Sequence, residues 1–430
     1  MAILQRQREQ NREDMNNNFS IINKCRLCES SNIKNVIEFG EIALANNYLS
    51  KEDEKESLYP LTVIKCDECG HVQLKETINP NILFDNYAYA SSDSPALNKH
   101  FEEYAKEVVT YNNLSEYSQV LEIASNDGVL LKQFEKLGLL NLIGVEPAKN
   151  IATICKNKTK ANIYNEYFDE QTASKIVKER GFSDVICANN VLAHVANINE
   201  FIKGIEKALS DKGVFVFENA YLLDTIKNLY FDQVYHEHLQ FFGIKPLQKF
   251  LLKNGLEIFR IKRVNTQGGS FRIFAKKAKN KEIKIDESVN HFLNEEEVNN
   301  LYNDSTLQDF KDKIIKIQKE FSTFLNEVEK NNKTVSCYGC PAKFALLSKT
   351  LGFNKKNIKY VVDDSPLKQN KFSPYGRIKI VNQQKFIDEP TDYCIISSWN
   401  MSDSIIEKNK QYKGNFVIPL PSIKVISSRF

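Results

Sequence analysis

The sequence predicts an α/β protein built around a doubly wound parallel sheet, and two observations support this prediction. Short apolar runs recur between residues 119 and 217, and segments with the spacing of amphipathic helices separate them. Such runs are typical of parallel strands that helices cover on both faces. The predicted strands are Val120-Leu121-Glu122-Ile123, Leu142-Ile143-Gly144-Val145, Val185-Ile186-Cys187-Ala188 and Val214-Phe215-Val216-Phe217.

Two C-x-x-C pairs indicate a metal site near the N-terminus. Cys25 and Cys28 form the first pair, and Cys66 and Cys69 form the second. Four thiolates brought together from two such knuckles make the tetrahedral ligand set of structural Zn²⁺ sites. We therefore predict a structural zinc ion bound by these four cysteines.

The length of the chain predicts several domains. At 430 residues it exceeds what one hydrophobic core usually supports. Apolar residues at helical spacing predict a helical connector after the central domain, and a second strand–turn–helix–strand series begins at Thr334. The predicted order is a flexible N-terminus (1–20), a small zinc-binding domain (21–80), a linking loop and helix (81–118), the central domain (119–284), the helical connector (285–330) and a C-terminal Rossmann-like α/β domain (331–430).

Charge and hydropathy exclude some classes of partner. Lys and Arg number 58 against 55 Asp and Glu, so the net charge of +3 gives no electrostatic reason to expect a nucleic acid. No apolar stretch approaches the roughly 20 residues that cross a bilayer, and the polar first 20 residues lack a secretory signal. We expect a cytoplasmic protein with reduced cysteines, no membrane partner, and a monomeric or weakly oligomeric state.

A cofactor site is predicted at the ends of the first two central strands. The first strand continues into Ala124-Ser125-Asn126-Asp127-Gly128, and the second ends at Glu146. A turn of small residues lets a ligand approach the backbone, and the acid can accept both hydroxyls of a ribose. This is the layout of a class I S-adenosylmethionine (SAM) site; NAD competes, but a G-x-G-x-x-G motif is absent. The predicted cofactor-binding residues are Glu122, Ser125, Asn126, Asp127, Gly128 and Glu146.

Two polar segments are candidates for proton chemistry. Asn190 and His194 follow the third central strand, where residues line the ligand crevice. Further along, the run 235–238 holds a tyrosine, two histidines and a glutamate. Imidazole titrates near neutral pH, so a proton-transfer site is favoured over a second metal site. If this run is extended, Tyr235 and Glu237 share one face.

Several motifs occur together in one order along the chain. They are Cys25-Arg26-Leu27-Cys28, Leu44-Ala45-Asn46-Asn47-Tyr48-Leu49, Cys66-Asp67-Glu68-Cys69-Gly70, Tyr87-Ala88-Tyr89-Ala90-Ser91, the segment 122–128, Asp232-Gln233-Val234-Tyr235-His236-Glu237-His238, Gly268-Gly269-Ser270-Phe271-Arg272, Gly339-Cys340-Pro341-Ala342-Lys343 and Asp363-Asp364-Ser365-Pro366-Leu367-Lys368-Gln369. Through them the chain resembles the SAM-dependent sugar C-methyltransferases that act on nucleotide-linked 4-keto-deoxysugars, over nearly all of residues 21–430.

The resemblance implies a role in deoxysugar biosynthesis and a substrate held between the central domain and its neighbours. A ketone at C4 acidifies the hydrogen on C3, so that a base can remove it and the resulting enolate can attack the methyl group of SAM. We predict His238 as the base, with Glu237 as the alternative or as its orienting partner, and Tyr235 or His194 as the donor to the enolate oxygen. The implied substrate-binding residues are Tyr87, Tyr89, Asn190 and Lys343.

Other function classes remain open at this stage. A sugar O-methyltransferase needs only a base at a hydroxyl group. A non-catalytic zinc scaffold with a degenerate SAM fold would bind a partner protein, which the intact run 235–238 speaks against. A nucleic-acid methyltransferase is disfavoured by the balanced charge.

Overall fold

The computed structural model of the protein describes residues 18–84 and 95–427, so the predicted substrate contacts Tyr87 and Tyr89 lie outside the described residues. The strands are β1 (Phe19–Ile21), β2 (Ile33–Ala43), β3 (Leu58–Cys66), β4 (Val72–Leu74), β5 (Glu76–Ile78), β6 (Gln119–Ile123), β7 (Asn141–Val145), β8 (Asn162–Tyr164), β9 (Ser183–Asn189), β10 (Leu209–Ala220), β11 (Gln240–Phe241), β12 (Leu256–Val264), β13 (Ser270–Lys277), β14 (Val335–Tyr338), β15 (Val361–Val362), β16 (Ile380–Val381), β17 (Tyr393–Ile396), β18 (Asn415–Ile418) and β19 (Lys424–Ser427).

The helices follow the same alternation in the central and C-terminal parts. They are α1 (Pro80–Phe84), α2 (Pro95–Tyr111), α3 (Val129–Lys136), α4 (Lys149–Lys158), α5 (Glu170–Arg180), α6 (Ile198–Ala208), α7 (Leu222–Lys227), α8 (Ile244–Lys253), α9 (Glu287–Val298), α10 (Asp304–Lys330), α11 (Phe344–Leu351), α12 (Gln383–Asp388) and α13 (Ser402–Lys408). Short 3-10 helices cover Leu192–His194, Phe231–Gln233 and Trp399–Met401. None of these helices is both long and apolar enough to span a bilayer.

The central sheet has seven strands in the order β12-β13-β10-β9-β6-β7-β8. Pairing is parallel from β8 to β10, and β13 runs antiparallel to both β10 and β12. The four predicted apolar runs form β6, β7, β9 and β10, which confirms the parallel core of the predicted sheet. β12 and β13 form a hairpin whose turn places Gly268 and Gly269 at φ of +85° and +138°, a region that favours glycine.

Apolar side chains of the parallel strands enter two separate cores. Leu121, Ile186 and Phe215 belong to one buried cluster, whereas their neighbours Val120 and Val185 belong to another. Consecutive strand residues point to opposite faces, so this division shows that helices cover both faces of the sheet.

Buried charges attach α2 to the central sheet. Glu218 of β10 is 1% exposed, and Arg272 of β13 donates to it from Nε at 2.7 Å and forms an ion pair from Nη2 at 2.6 Å. Arg272 also pairs with Glu107 of α2 at 2.5 Å, and His100 of α2 lies 2.8 Å from the other Glu218 oxygen. α2 is therefore fixed against the strands whose carboxyl ends carry the predicted site.

The N-terminal region forms a small antiparallel sheet of order β11-β4-β3-β2, beside the pair β1-β5. Leu61, Val63 and Leu74 form part of its core. β11 comes from a distant part of the chain, directly after the run 235–238, and pairs with β4. The zinc-binding region and the central region therefore share one sheet.

The C-terminal sheet has the order β16-β15-β14-β17-β18-β19, parallel except for the last strand, as expected for a Rossmann-like domain. The region 285–330, predicted as the connector, contains α9 and the long helix α10. The buried residues of α10 recur every three or four positions: Leu307, Phe310, Ile314, Ile317, Phe321, Leu325 and Val328. This stripe packs α10 against β2 and α11, so the connector joins the first and last domains.

We expect the substitution Arg272→Met to destabilise the protein by about 3–5 kcal/mol, because it leaves the Glu218 carboxylate buried without its main partner. Lys262→Met is the matched control: the Lys262 side chain is 49% exposed and pairs with the same Glu107, so its loss should cost about 0–1 kcal/mol. Urea denaturation followed by circular dichroism measures both. Equal losses of stability in the two variants would contradict the assignment of the buried pair.

Candidate active site

The three domains enclose a cavity of about 1370 Å³. Its lining includes Asn46 and Tyr48 from the zinc-binding region, Asn126, Glu146, Asn189, Asn190, His194 and Asn219 from the central strand ends and loops, the run 235–238, and Lys343 and Lys368 from the C-terminal domain. The cavity therefore gathers predicted cofactor, catalytic and substrate residues in one place.

The run 235–238 forms a turn, so the extended conformation considered from the sequence is wrong. The backbone N–H of His238 donates to the carbonyl of Tyr235 at 2.8 Å and closes the turn. As a result, the Tyr235 hydroxyl lies 2.8 Å from Nε2 of His238. The turn brings these two predicted catalytic side chains into direct contact, whereas an extended strand would have separated them.

The hydrogen bonds of His238 fix its tautomer. Its Nδ1 lies 2.8 Å from the carbonyl oxygen of Gln233, which can only accept, so Nδ1 carries the hydrogen. Nε2 then has the lone pair and accepts from the Tyr235 hydroxyl. Burial lowers the pKa of His238 to about 4, so the ring is neutral at pH 7.

His194 and Asn190 lie beside this pair. The ring centres of His194 and His238 are 5.0 Å apart in an edge-to-face arrangement. Burial, and then repulsion from His238, lower the pKa of His194 to about 3. Asn190 adopts a left-handed conformation at φ 55°, and its N–H donates to the carbonyl of Glu218 at 2.7 Å. Both predicted residues line the cavity.

Glu237 is a buried carboxyl group that faces the zinc-binding region. Its Oε1 accepts a hydrogen bond of 2.8 Å from the side-chain amide of Asn46. Burial raises the pKa of Glu237 to about 7, against the lowering effect of Asn46. Asn46 belongs to one of the motifs of the sequence, but no role was predicted for its side chain. His236 also contacts the zinc-binding region and donates to the carbonyl of Pro60 on β3 at 3.1 Å.

Glu146 organises the predicted cofactor loop. Its two carboxylate oxygens accept from the backbone N–H groups of Asn126 at 3.0 Å and Ala148 at 2.9 Å. Asn126 itself has a left-handed conformation at φ 48°. Burial raises the pKa of Glu146. Asn126 and Glu146 both line the cavity, and each carboxylate oxygen retains a lone pair for a ribose hydroxyl.

The other predicted cofactor residues stand behind this loop and are not among the residues that line the cavity. Asp127 is fully buried and pairs with Lys158 of α4 at 2.6 Å. A Cβ atom on Gly128 would lie 2.6 Å from the Thr159 side chain, so this glycine permits close packing against the end of α4. The Ser125 N–H donates to the carbonyl of Val145 at 3.0 Å, and burial raises the pKa of Glu122. We infer that these four residues act on a cofactor through the shape of the loop.

Buried polar atoms at the strand ends indicate that a polar ligand fits here. Within residues 18–84 and 95–427, both side-chain amide atoms of Asn189 and the amide oxygen of Asn219 have no hydrogen-bond partner. Asn189 ends β9, Asn219 lies near the end of β10, and both line the cavity. Buried polar groups are normally hydrogen-bonded. Neither residue was predicted from the sequence, although a place at the end of a parallel strand is a signal of a ligand contact.

The four predicted metal ligands converge. The sulfur atoms of Cys25 and Cys69 are 3.7 Å apart, and those of Cys28 and Cys66 are 3.5 Å apart. All four sulfur atoms lie within 4.8 Å of one another. Tetrahedral Zn²⁺ with bonds of about 2.3 Å holds sulfur atoms about 3.8 Å apart. The donor set therefore fits a structural zinc ion.

Lys343 joins the C-terminal domain to the central one. Its Nζ lies 3.4 Å from the buried carboxylate of Asp232 and donates to the Asn400 side chain at 3.1 Å. The same Nζ lies over the Trp399 ring, 4.0 Å from the ring centre. The Trp399 N–H also donates to Asp232, at 2.5 Å. Burial lowers the pKa of Lys343, and the residue lines the cavity as predicted.

We expect Cys66→Ser to lower the zinc content and to destabilise residues 21–80 while the central sheet stays folded, because a structural zinc site needs all four thiolates. Cys394→Ser is the control, since Cys394 is buried in the C-terminal sheet away from the cluster. Elemental analysis measures the metal. Less than about half an equivalent in the unaltered protein would count against the four-thiolate site.

We expect Glu146→Gln to weaken SAM binding by about tenfold or more, because a hydrogen bond to a charged group contributes about 1.5–3 kcal/mol. Glu146→Gln keeps an acceptor for only one of the two backbone N–H groups, because an amide nitrogen cannot accept. Glu146→Ala should also weaken binding, but it removes both acceptors and should loosen the loop more. Glu170→Gln, on α5 and outside the cavity lining, is the control and should keep the SAM affinity. If calorimetry shows unchanged SAM affinity in Glu146→Gln, the ribose contact lies elsewhere.

Known families match three consecutive parts of the chain. Residues 25–84 match a family described as "Putative zinc binding domain", residues 93–261 match "Methyltransferase domain", and residues 265–421 match "C-methyltransferase C-terminal domain". The chain is 29% identical to C-methyltransferase NovU of Streptomyces niveus over 95% of this chain and 97% of that protein. It is 24% identical to a ubiquinone biosynthesis O-methyltransferase of Rickettsia bellii over 35% of this chain and 66% of that protein.

Similar solved structures cover only part of the chain. A SAM-dependent methyltransferase from Clostridium acetobutylicum matches 42% of this chain and 92% of its own with a TM-score of 0.34 and 15% identity. Magnesium protoporphyrin IX methyltransferase from Synechocystis PCC 6803, with bound SAH, matches 42% of this chain and 83% of its own, with a TM-score of 0.33 and 14% identity. These scores are too low to carry an argument about the site.

The matches to families and to the full-length relative agree with the fold and with the cysteine cluster. They confirm an enzyme, with SAM and zinc as its cofactors. In its order of domains and over nearly its whole length, the chain is therefore similar to SAM-dependent C-methyltransferases that carry an N-terminal zinc-binding domain.

Proposed function

We propose that the protein transfers a methyl group to C3 of a nucleotide-linked 4-keto-deoxysugar, in a cytoplasmic pathway of deoxysugar biosynthesis. One observation carries this proposal: the turn 235–238 brings a fixed His238–Tyr235 pair and a buried carboxyl group into the cavity that Glu146 and Asn126 also line. Removal of a hydrogen next to a ketone needs a base and a hydrogen-bond donor at such a place.

His238 is the proposed base. Its Nδ1–H is held by the Gln233 carbonyl, so Nε2 presents the lone pair, and the ring is neutral at pH 7. The Tyr235 hydroxyl that contacts Nε2 can turn to the substrate and donate to the enolate oxygen. His194, whose ring centre lies 5.0 Å from that of His238, is the alternative donor. SAM supplies the electrophilic methyl group, and the loop at Asn126 and Glu146 is proposed to hold it.

Glu237 is the alternative base. Its pKa of about 7 is closer to the operating pH than that of His238, which favours proton transfer to a carboxylate. Asn46 holds one carboxylate oxygen, so the other is available to a substrate. In the proposed assignment Glu237 instead orients the sugar.

Lysine side chains support the nucleotide part of the proposed substrate. Lys55, Lys343, Lys368 and Lys371 line the same cavity, beside the C-terminal domain. Lys343 and Lys368 also contact carboxylates, but an ammonium group carries three donors and can bind a diphosphate at the same time. A diphosphate is the group that such a set of cations would attract most strongly.

The direct experiment is incubation with SAM and a panel of nucleotide-linked 4-keto-deoxysugars, followed by mass spectrometry. We expect one substrate to gain one methyl group. The same sugars reduced to the 4-hydroxyl are the control, since they lack the acidified C3 hydrogen and should not react. Methylation of the reduced sugars alone would contradict the proposal and favour a sugar O-methyltransferase. Failure to bind SAM would favour a non-catalytic scaffold.

We expect His238→Asn to lose about 10²- to 10⁴-fold in methyl transfer while it retains SAM binding, the usual effect of losing a general base. Exchange of the C3 hydrogen in deuterated water measures the same step. If exchange persists in His238→Asn and disappears in Glu237→Gln, Glu237 is the base. If both variants remain active, the turn has no catalytic role.

The pH dependence of exchange separates the two bases in the unaltered protein. A base must be unprotonated, so exchange is lost as the pH falls through its pKa. With His238 as the base we expect exchange to stay level down to about pH 5, because its pKa is about 4. A decline that begins near pH 7 would instead identify Glu237, whose pKa is about 7.

A further inference from the structure

Gln240 links the zinc knuckle 66–69, the second of the two cysteine pairs, to the proposed active site. It lies two positions after His238, at the start of β11, and is 2% exposed. β11 does not join the central sheet but pairs with β4, where Gln240 is the register partner of Gln73. The N–H of Leu74 also donates to the carbonyl of Leu239 at 2.9 Å. The backbone directly after the turn 235–238 is thus part of the zinc-binding sheet.

The side chain of Gln240 holds the segment that carries His194. Its amide nitrogen donates to the carbonyl of Leu192 at 3.2 Å and to that of Val195 at 3.0 Å. These carbonyls flank His194 on the short 3-10 helix Leu192–His194. One buried amide therefore fixes both ends of this helical turn.

The same amide reaches the zinc knuckle. Both hydrogens of the Gln240 amide nitrogen are used, so its oxygen accepts from Nε2 of His71 at 3.3 Å. His71 is fully buried, and its backbone carbonyl accepts from the N–H of the zinc ligand Cys66 at 2.9 Å. A continuous chain of hydrogen bonds therefore runs from Cys66 through His71 and Gln240 to the turn of His194.

We propose that Gln240 is a positioning residue through which the zinc-loaded knuckle sets the place of His194 in the active site. Zinc then has a second effect besides stabilising its own domain: it holds His71, and His71 orients the Gln240 amide. The inference rests on the proposed function only where it treats His194 as a catalytic residue.

Histidine NMR tests the link without any substrate. The chain has six histidines, so ring ¹⁵N labelling gives few signals, which single His→Asn variants assign. We expect removal of zinc by a chelator to shift the signals of His71 and His194, and to leave that of exposed His291 on α9 in place. In Gln240→Met, zinc removal should still shift His71, but the shift of His194 should be much smaller than in the unaltered protein. An unchanged His194 signal in the unaltered protein, or equal shifts of His194 in both proteins, would overturn the proposal.

Kinetics give an independent test. We expect Gln240→Met to keep its zinc and its SAM affinity but to lose about 10²-fold in kcat, the effect of a misplacement of about 1 Å. Gln73→Met is the matched control: Gln73 is fully buried on the neighbouring strand, but its side-chain oxygen accepts from Arg26 and not from the active site. It should lose stability and keep kcat. Equal kcat losses in the two variants would overturn the proposal.

The two tests separate failure of the inference from failure of the proposed function. If no keto-sugar is methylated but the NMR coupling through Gln240 is present, the link stands and the substrate is different. If methylation occurs and the coupling is absent, the link is wrong and the substrate assignment stands.

Discussion

The pairing of β11 with β4 is the contact on which the rest of the site depends, because it builds a strand of the methyltransferase region into the sheet of the zinc-binding domain. The strand follows the turn 235–238 directly, so the position of that turn is set by a sheet whose other end is closed by the cysteine cluster. Through the same contact, Asn46 of the zinc-binding domain reaches the carboxylate of Glu237. The zinc-binding domain therefore supplies part of the surroundings of the candidate active site.

The C-terminal domain contacts the segment that directly precedes the turn 235–238. Asp232, three residues before Tyr235, is fully buried and accepts the Trp399 N–H while Lys343 lies 3.4 Å away. The cavity is therefore bounded by all three domains, and none of them alone presents the full set of groups. This arrangement suits the proposed substrate, in which the sugar would contact the turn and the phosphorylated group would contact the lysines.

Much of the fold could be predicted from the sequence because it depends on local patterns. Apolar runs identified β6, β7, β9 and β10, and the cysteine spacing identified the metal cluster. The turn at 235–238 was not predicted because the run holds neither glycine nor proline, the usual signals of a turn. Its hydrogen bond from His238 to Tyr235 joins backbone atoms, so it does not depend on the types of these residues.

Contacts between distant segments could not be predicted in the same way. Asn46 and Glu237 are 191 positions apart, and Gln240 and His71 are 169 apart, so only the assembled fold brings them together. Residue type also did not show which members of the cofactor loop face the cavity. Asp127 is paired with Lys158 behind the loop, whereas Asn189 and Asn219 present unpartnered atoms in front of it.

The central claim is that this site makes a carbon–carbon bond next to a ketone. Product NMR with SAM labelled with ¹³C in its methyl group and a uniformly ¹³C-labelled sugar nucleotide tests it most directly. The site described here predicts one-bond carbon–carbon coupling between the transferred methyl group and C3 of the ring. A transferred methyl group that shows no such coupling and has the chemical shift of a methoxy group would contradict it.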